Sequence, residues 1–223
     1  MDLDAFRSQI LIGLVSNEQN VQKQAEENFF LFLNQNPCLT LQLLISNSNI
    51  DCNTKSVVIL PDKSIKSNAT PLFKAVINKS YKIVQLLLQN KNIDVNIKSF
   101  VSERSGQSNN VLESEKTALY AAVENDQARM VRILLSHPNI DVNVKSSKSL
   151  ITNDVDGNYA KIKAPLHVAV LTGNTDIIKM LLENRNIDIN IKDESGKTPA
   201  ELSKNERINL VINDAIHRKN LNY

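Results

Sequence analysis

Thr117 to Ser146 reads TALYAAVENDQARMVRILLSHPNIDVNVKS, and most of it occurs again on either side. From Thr70 the chain reads TPLFKAVINKSYKIVQLLLQNKNIDVNIKS, and from Ala164 it reads APLHVAVLTGNTDIIKMLLENRNIDINIKD. Thr70 to Thr117 is 47 residues, and Thr117 to Ala164 is 47 again. A fixed internal period marks stacked copies of one supersecondary unit, so it governs the reading of everything else.

Each unit has the same parts. A first apolar stripe, Leu72, Ala75 and Val76 in the first copy, recurs as Leu119, Ala122 and Val123, then as Leu166, Ala169 and Val170. Spacings of three and four place each set on one helical face. Thr70 and Thr198 are placed to cap such a helix, with Pro71 and Pro199 in its first turn, where the missing N–H costs nothing. Glu201 completes a capping box with Thr198, whereas Ala164 predicts a weaker cap. After a short polar break comes a second stripe, ending in Leu87-Leu88, Leu134-Leu135 and Leu181-Leu182. The tails IDVNIK, IDVNVK and IDINIK alternate apolar and polar residues and read as extended exits. Helices this short cannot stand alone in water, and stacking buries their apolar faces as one core.

These residues closely resemble the ankyrin repeat, whose signature is Thr-Pro-Leu-His, an Ala-rich first helix, a second helix ending in Leu-Leu and an Asp-Val-Asn exit. The resemblance implies an all-α solenoid of about five helix pairs with hairpin-like finger loops, its repeats starting near residues 27, 70, 117, 164 and 198. Residues 27–223 form the array in this reading, and residues 1–26 a helical cap over its open end. In the family the signature His and the Thr hydroxyl tie neighbouring loops together, which assigns a structural role to Thr70, Thr117, His167 and Thr198. Phe73 and Tyr120 replace that His in the first two copies. The recurrent exit asparagines Asn96, Asn143 and Asn190 occupy a position that an asparaginyl hydroxylase can modify in the family. Side-chain bonds that close the turn account for them without modification.

The fingers depart from the family. Residues 99–116 and 146–163 put 18 residues between the exit lysine and the next start, where residues 193–197 (DESGK) put five. Alternating arms around Asp156-Gly157 in SLITNDVDGNYAKIK predict a long hairpin, and VVILPDKSIKS predicts another around Pro61-Asp62. FVSERSGQSNNVLESEK is polar enough to be read as partly disordered. Upstream, LTLQLLISNSNIDCNTKS (residues 39–56) repeats a second helix and exit. Phe29, Phe30, Phe32 and Leu33 fall where a first helix would start near Glu27. The stretch from about residue 10 to 37 also resembles the first helical repeat of the importin-β family, which implies a nuclear-transport-related adaptor as an alternative to a plain cap.

Composition narrows the function. The formal charge of +2, with basic and acidic residues interspersed, gives no clustered footprint for nucleic acid. No run approaches the roughly 20 apolar residues that span a bilayer, and MDLDAFRSQ lacks the basic start of a signal peptide. The expected setting is the cytoplasm or nucleus, with Cys38 and Cys52 as free thiols. NDVDGNY suggests a calcium loop, but Lys163 would stand at its last ligand position and disqualifies it. His137 and His217 have no partners at metal-ligand spacing. No nucleophile elbow, phosphate loop or paired helical carboxylates occur.

The expectation is therefore a monomeric, non-catalytic scaffold without cofactor or metal, which binds a protein through its fingers and concave face. First-helix ends supply Ile77, Asn78, Glu124, Asn125, Leu171 and Thr172 as contacts. The fingers add Arg104, Ile151, Asn153, Tyr159 and Lys161, of which Tyr159 and Arg104 are the types that most often dominate binding energy.

Overall fold

The computed structural model describes residues 51–59, 65–104, 111–151 and 159–221. The chain divides into two compact units, residues 1–94 and 95–223. The proposed cap, the importin-like stretch and the start near residue 27 all lie outside the described residues.

In the first unit a hairpin of β1 (Ser56–Ile59) and β2 (Ile65–Ala69) leads into α1 (Pro71–Ile77) and α2 (Tyr81–Leu87). In the second unit two further rounds follow. They are β3 (Ser99–Arg104), β4 (Val111–Lys116), α3 (Ala118–Glu124) and α4 (Ala128–Leu135), then β5 (Ser146–Ile151), β6 (Tyr159–Lys163), α5 (Pro165–Thr172) and α6 (Thr175–Leu182). The short α7 (Pro199–Leu202) and the 16-residue α8 (Glu206–Leu221) close the unit.

The helices begin where the caps placed them. Thr70 Oγ1 accepts from the Phe73 N–H at 3.2 Å, and Thr117 Oγ1 from the Tyr120 N–H at 3.1 Å. Thr198 and Glu201 form the full capping box, the Glu201 carboxylate accepting the Thr198 N–H at 2.6 Å. Ala164 has no side-chain acceptor, but His167 Nδ1 takes the Ala164 N–H at 3.2 Å and restores half of the box. Gly173 turns the chain between α5 and α6 at φ 79°, and Lys79 and Asp126 take the same left-handed position at φ 55°.

Within the second unit α3 packs on α5, α4 on α6, α5 on α7 and α6 on α8. Leu119, Met130, Leu134, Leu166, Ile177, Ile178, Leu181, Ile208 and Ile212 are fully buried between these layers. A buried side chain of this size contributes about 1.5–3 kcal/mol, which short helices cannot gain alone. The last leucine of each second stripe, Leu88, Leu135 and Leu182, is only half-buried.

The all-α expectation needs correction, because the long fingers are built of β-strands. In the second unit β3, β4, β5 and β6 pair in that order as one antiparallel sheet. In the polar finger the two arms pair as a hairpin, with Val101 opposite Ser114 and Arg104 opposite Val111, and residues 105–110 between them lie outside the described residues. An inserted loop must satisfy its own N–H and C=O groups, and pairing with the neighbouring finger does so. The arms around Pro61-Asp62 and Asp156-Gly157 pair as expected, their turns lying outside the described residues.

The exit asparagines also do something other than close their own turns. That task belongs to the preceding Asp, as when Asp141 Oδ1 accepts the Asn143 N–H at 2.8 Å. Asn143 instead reaches the next exit. Its Nδ2 donates to the Asn186 carbonyl at 2.8 Å, and its Oδ1 accepts the Asp188 N–H at 2.8 Å. Asn96 clamps Asn139 and Asp141 in the same way, and in the first unit Asn53 clamps Asn92 and Asp94. Asn190 is exposed and, among the described residues, clamps no further exit. Asn143→Ala is therefore expected to cost about 1–3 kcal/mol by leaving two backbone groups unpaired, and Asn190→Ala less than about 0.5 kcal/mol. Urea unfolding of the two variants checks the contrast.

Candidate protein interface

The ends of the first helices differ in what they expose. The α1 end exposes Ile77 and Asn78, and the α5 end exposes Leu171 and Thr172, with Leu171 at 55%. The α3 end is different in character. Asn125 is exposed but donates its amide back to the Ala121 carbonyl, and Glu124 is half-buried in an ion-pair cluster.

That cluster ties the finger sheet to the helices. Glu124 binds Lys116 of β4 at 2.5 Å and Lys148 of β5 at 3.7 Å. Tyr120, buried below it, has its phenol pushed up by burial and by the Glu124 and Glu194 carboxylates. At the next finger, Lys163 of β6 binds Asp193 at 2.7 Å and Glu194 at 3.6 Å. Lys116, Lys163 and Lys197 each stand immediately before a repeat start, the first two 47 residues apart and the last two 34.

Asp193 was missed in the sequence. It is a buried carboxylate standing where the longer fingers have Ser99 and Ser146, both fully buried. Burial would raise its pKa, but the Lys163 ammonium and the N–H groups of Lys197 and Ser195 hold it down at about 2. The Asp193 N–H donates to the Lys197 carbonyl at 2.9 Å, so the five-residue finger keeps one rung of the ladder that its longer counterparts extend. Asp193→Ala removes the acceptor of an ammonium and two N–H groups. The expected loss is about 1–3 kcal/mol, with faster amide exchange at the base of β6.

His167 sits in the family's structural position and is wholly buried. Because Nδ1 accepts from Ala164, Nε2 carries the hydrogen and donates to the Lys197 carbonyl at 3.1 Å. The imidazole is thus a neutral bridge between a helix start and the following finger, with no exposed face for catalysis. Burial lowers its pKa, more than the Lys197 carbonyl and Asp193 raise it, and Lys163 and Lys145 lower it further. Protonating Nδ1 would set two hydrogens against each other. A folded pKa below the unfolded value of about 6.5 means that its stabilisation is complete above that pH and lost as pH falls through the folded value. Urea midpoints should decline below about pH 6.5, and His167→Gln should flatten that part of the profile. Loss from Asp193 follows at lower pH, between the usual carboxylate range and about 2.

Of the finger contacts, Lys161 is exposed on β6 opposite Lys148. Arg104 pairs with Val111, Ile151 also with Val111, and Tyr159 with Leu150 in the strand register. Asn153 lies outside the described residues. The sheet brings the two fingers of this unit together with the α3 end, while the α1 end belongs to the other unit.

The family described as "Ankyrin repeats (many copies)" matches residues 150–203, and that described as "Ankyrin repeat" matches residues 67–97 and 114–147. The chain belongs to the ankyrin-repeat family. Among solved structures, the ankyrin repeat domain of Bcl-3, described as a unique member of the IkappaB protein family, is similar in fold. The TM-score is 0.56 at 19% identity, over 92% of this chain and 75% of that one. No curated protein matches. Ankyrin repeats are in general protein–protein interaction modules. Among the described residues no helix is long and apolar enough to cross a membrane, and no group of three or more His, Cys, Asp or Glu side chains is placed to hold a metal.

Proposed function

We propose that this ankyrin-repeat protein is a non-catalytic scaffold that holds a protein partner against its finger sheet and the ends of its first helices. The observation that supports it most is the Lys116–Glu124–Lys148 cluster. It fixes a four-stranded sheet to α3, and Lys161 on β6 and Leu171 and Thr172 at the end of α5 are exposed. Binding surfaces work best when the contacting residues are held before the partner arrives, because ordering them on binding costs affinity. Long fingers alone would be mobile, whereas fingers paired edge to edge present one preset surface.

In the second unit Arg104, Ile151, Asn153 and Tyr159 carry the reading along the fingers, and in the first unit, taken by itself, Ile77 and Asn78 are the proposed contacts. The buried, neutral His167 and the buried Cys52 have the environments of structural side chains. The setting we favour is cytoplasmic or nuclear, with the chain acting as a monomer.

Cutting residues 99–116 and 146–163 to the length of DESGK tests the proposal. Specific protein partners captured from lysate by the intact chain should be lost, while helical circular dichroism is kept. A partner list unchanged by the deletion would sink the finger-sheet reading.

A further inference from the structure

The finger sheet of the second unit ends at β6, and one residue shows how it would continue. The Ile162 N–H donates to the Glu194 carboxylate at 2.9 Å, and the Ile162 carbonyl accepts the Glu194 N–H at 3.3 Å. Glu194 follows Asp193 as Ser147 follows Ser146, and Ser147 pairs with Glu115 on β4. It therefore stands at the first position of a seventh strand. Gly196, at φ 76°, then turns the chain back towards α7. Outward-facing groups alternate along an antiparallel strand, so Ala160, two residues from Ile162, also directs its N–H and C=O away from β5. A sheet edge of this kind is a template for another strand.

Charge says what kind of strand. Lys116, Lys148, Lys161 and Lys163 share one face of the sheet by register, while Glu113 and Glu115 alternate to the other. Glu124 serves Lys116 and Lys148, and Asp193 and Glu194 serve Lys163. Lys161 is left exposed and, among the described residues, has no carboxylate partner. It also lies directly opposite Lys148, an arrangement that destabilises an antiparallel pair. An acid on a strand beyond β6 would relieve both conditions. A second copy of β6 is disfavoured, because its sequence YAKIK would bring lysines and no acid to Lys161.

We infer that the outer edge of β6 accepts an extended acidic segment of a partner protein, added as a strand in the lane begun by Glu194, with a carboxylate against Lys161. This rests on the reading of the fingers as the binding surface and specifies the partner's chemistry there.

Random linear peptides displayed on phage, selected against the full chain, test it. Selected sequences should be enriched in Asp and Glu and poor in Pro. A synthetic copy of the best binder should weaken about tenfold when its acids become Asn or Gln, and about tenfold on Lys161→Glu. Ala160→Pro removes an outward donor without touching the β5 ladder and should abolish binding, whereas Ala160→Thr, which keeps the N–H, should bind as the parent does. Circular dichroism of each variant checks folding. Selected peptides without acidic bias, no enriched peptide at all, or undiminished binding by Ala160→Pro would overturn the inference. So would a concentration-dependent dimer abolished by Ala160→Pro, which would make a second copy the occupant. A lysate partner lost on finger shortening but kept by Ala160→Pro and Lys161→Glu would overturn this inference alone and leave the finger-sheet reading standing.

Discussion

A side-chain amide spanning two exit turns sets the register on which the repeats of this protein depend. Helices of seven or eight residues have almost no stability of their own. Apolar burial drives them together but does not fix how one pair slides over the next, since hydrophobic attraction is non-directional. The Asn143 amide is directional: its donor and acceptor fit the Asn186 carbonyl and the Asp188 N–H at once, in the manner of a single rung of β-ladder. With that rung made, Leu134 of α4 and Leu181 of α6 are buried in the same layer. Asp126 adds a second tie at the opposite end of the helices, accepting from the Asn174 amide at 2.5 Å.

Given that register, the behaviour of the fingers follows. Copies stacked at a fixed spacing bring successive fingers close enough to share hydrogen bonds, and residues 99–116 and 146–163 have the same length. Equal lengths put Ser114 of one finger opposite Lys148 of the next. The sheet therefore grows one hairpin per long finger and stops at the first short one, where Asp193 and Glu194 begin a strand that DESGK does not continue. The buried position at each finger base tells the same story: Ser99 and Ser146 stand where the ladder carries on, and a carboxylate, Asp193, stands where it ends and Lys163 needs a partner.

The parts legible in the sequence were those written in short-range pattern. The helix pairs, the Thr caps and the Glu201 capping box follow from spacings of three, four or 47, while the structural reading of His167 came from the family resemblance. What escaped depended on contacts between residues far apart in the chain. The pairing of residues 99–104 with 111–116 joins a stretch that composition alone reads as polar, and composition carries no information about which distant segment a strand meets. The exit asparagines were visible as a repeated residue, but their partners are more than 40 positions away, so the bonds were assigned to the nearest turn. Asp193 drew no notice because a lone Asp before Glu and Ser in a short loop looks like ordinary turn chemistry.

The same physics separates what holds the surface from what is left for a partner. Glu124 ties Lys116 and Lys148 to α3, and Asp193 and Glu194 tie Lys163 to the short finger, so those charges are already committed. Lys161 is exposed on β6 and forms no ion pair with those three acids, and the ladder that would continue past it stops at Glu194 in the DESGK finger. A sheet that extends until a short finger interrupts it leaves its unmet hydrogen bonds and its unmet charge at the same edge. Affinity at such an edge depends on how firmly β6 is held, because a frayed strand would have to be reordered before it could pair. Asp193 therefore matters to binding without touching a partner: by holding Lys163 it keeps the base of β6 in place and the Ala160 backbone directed outward.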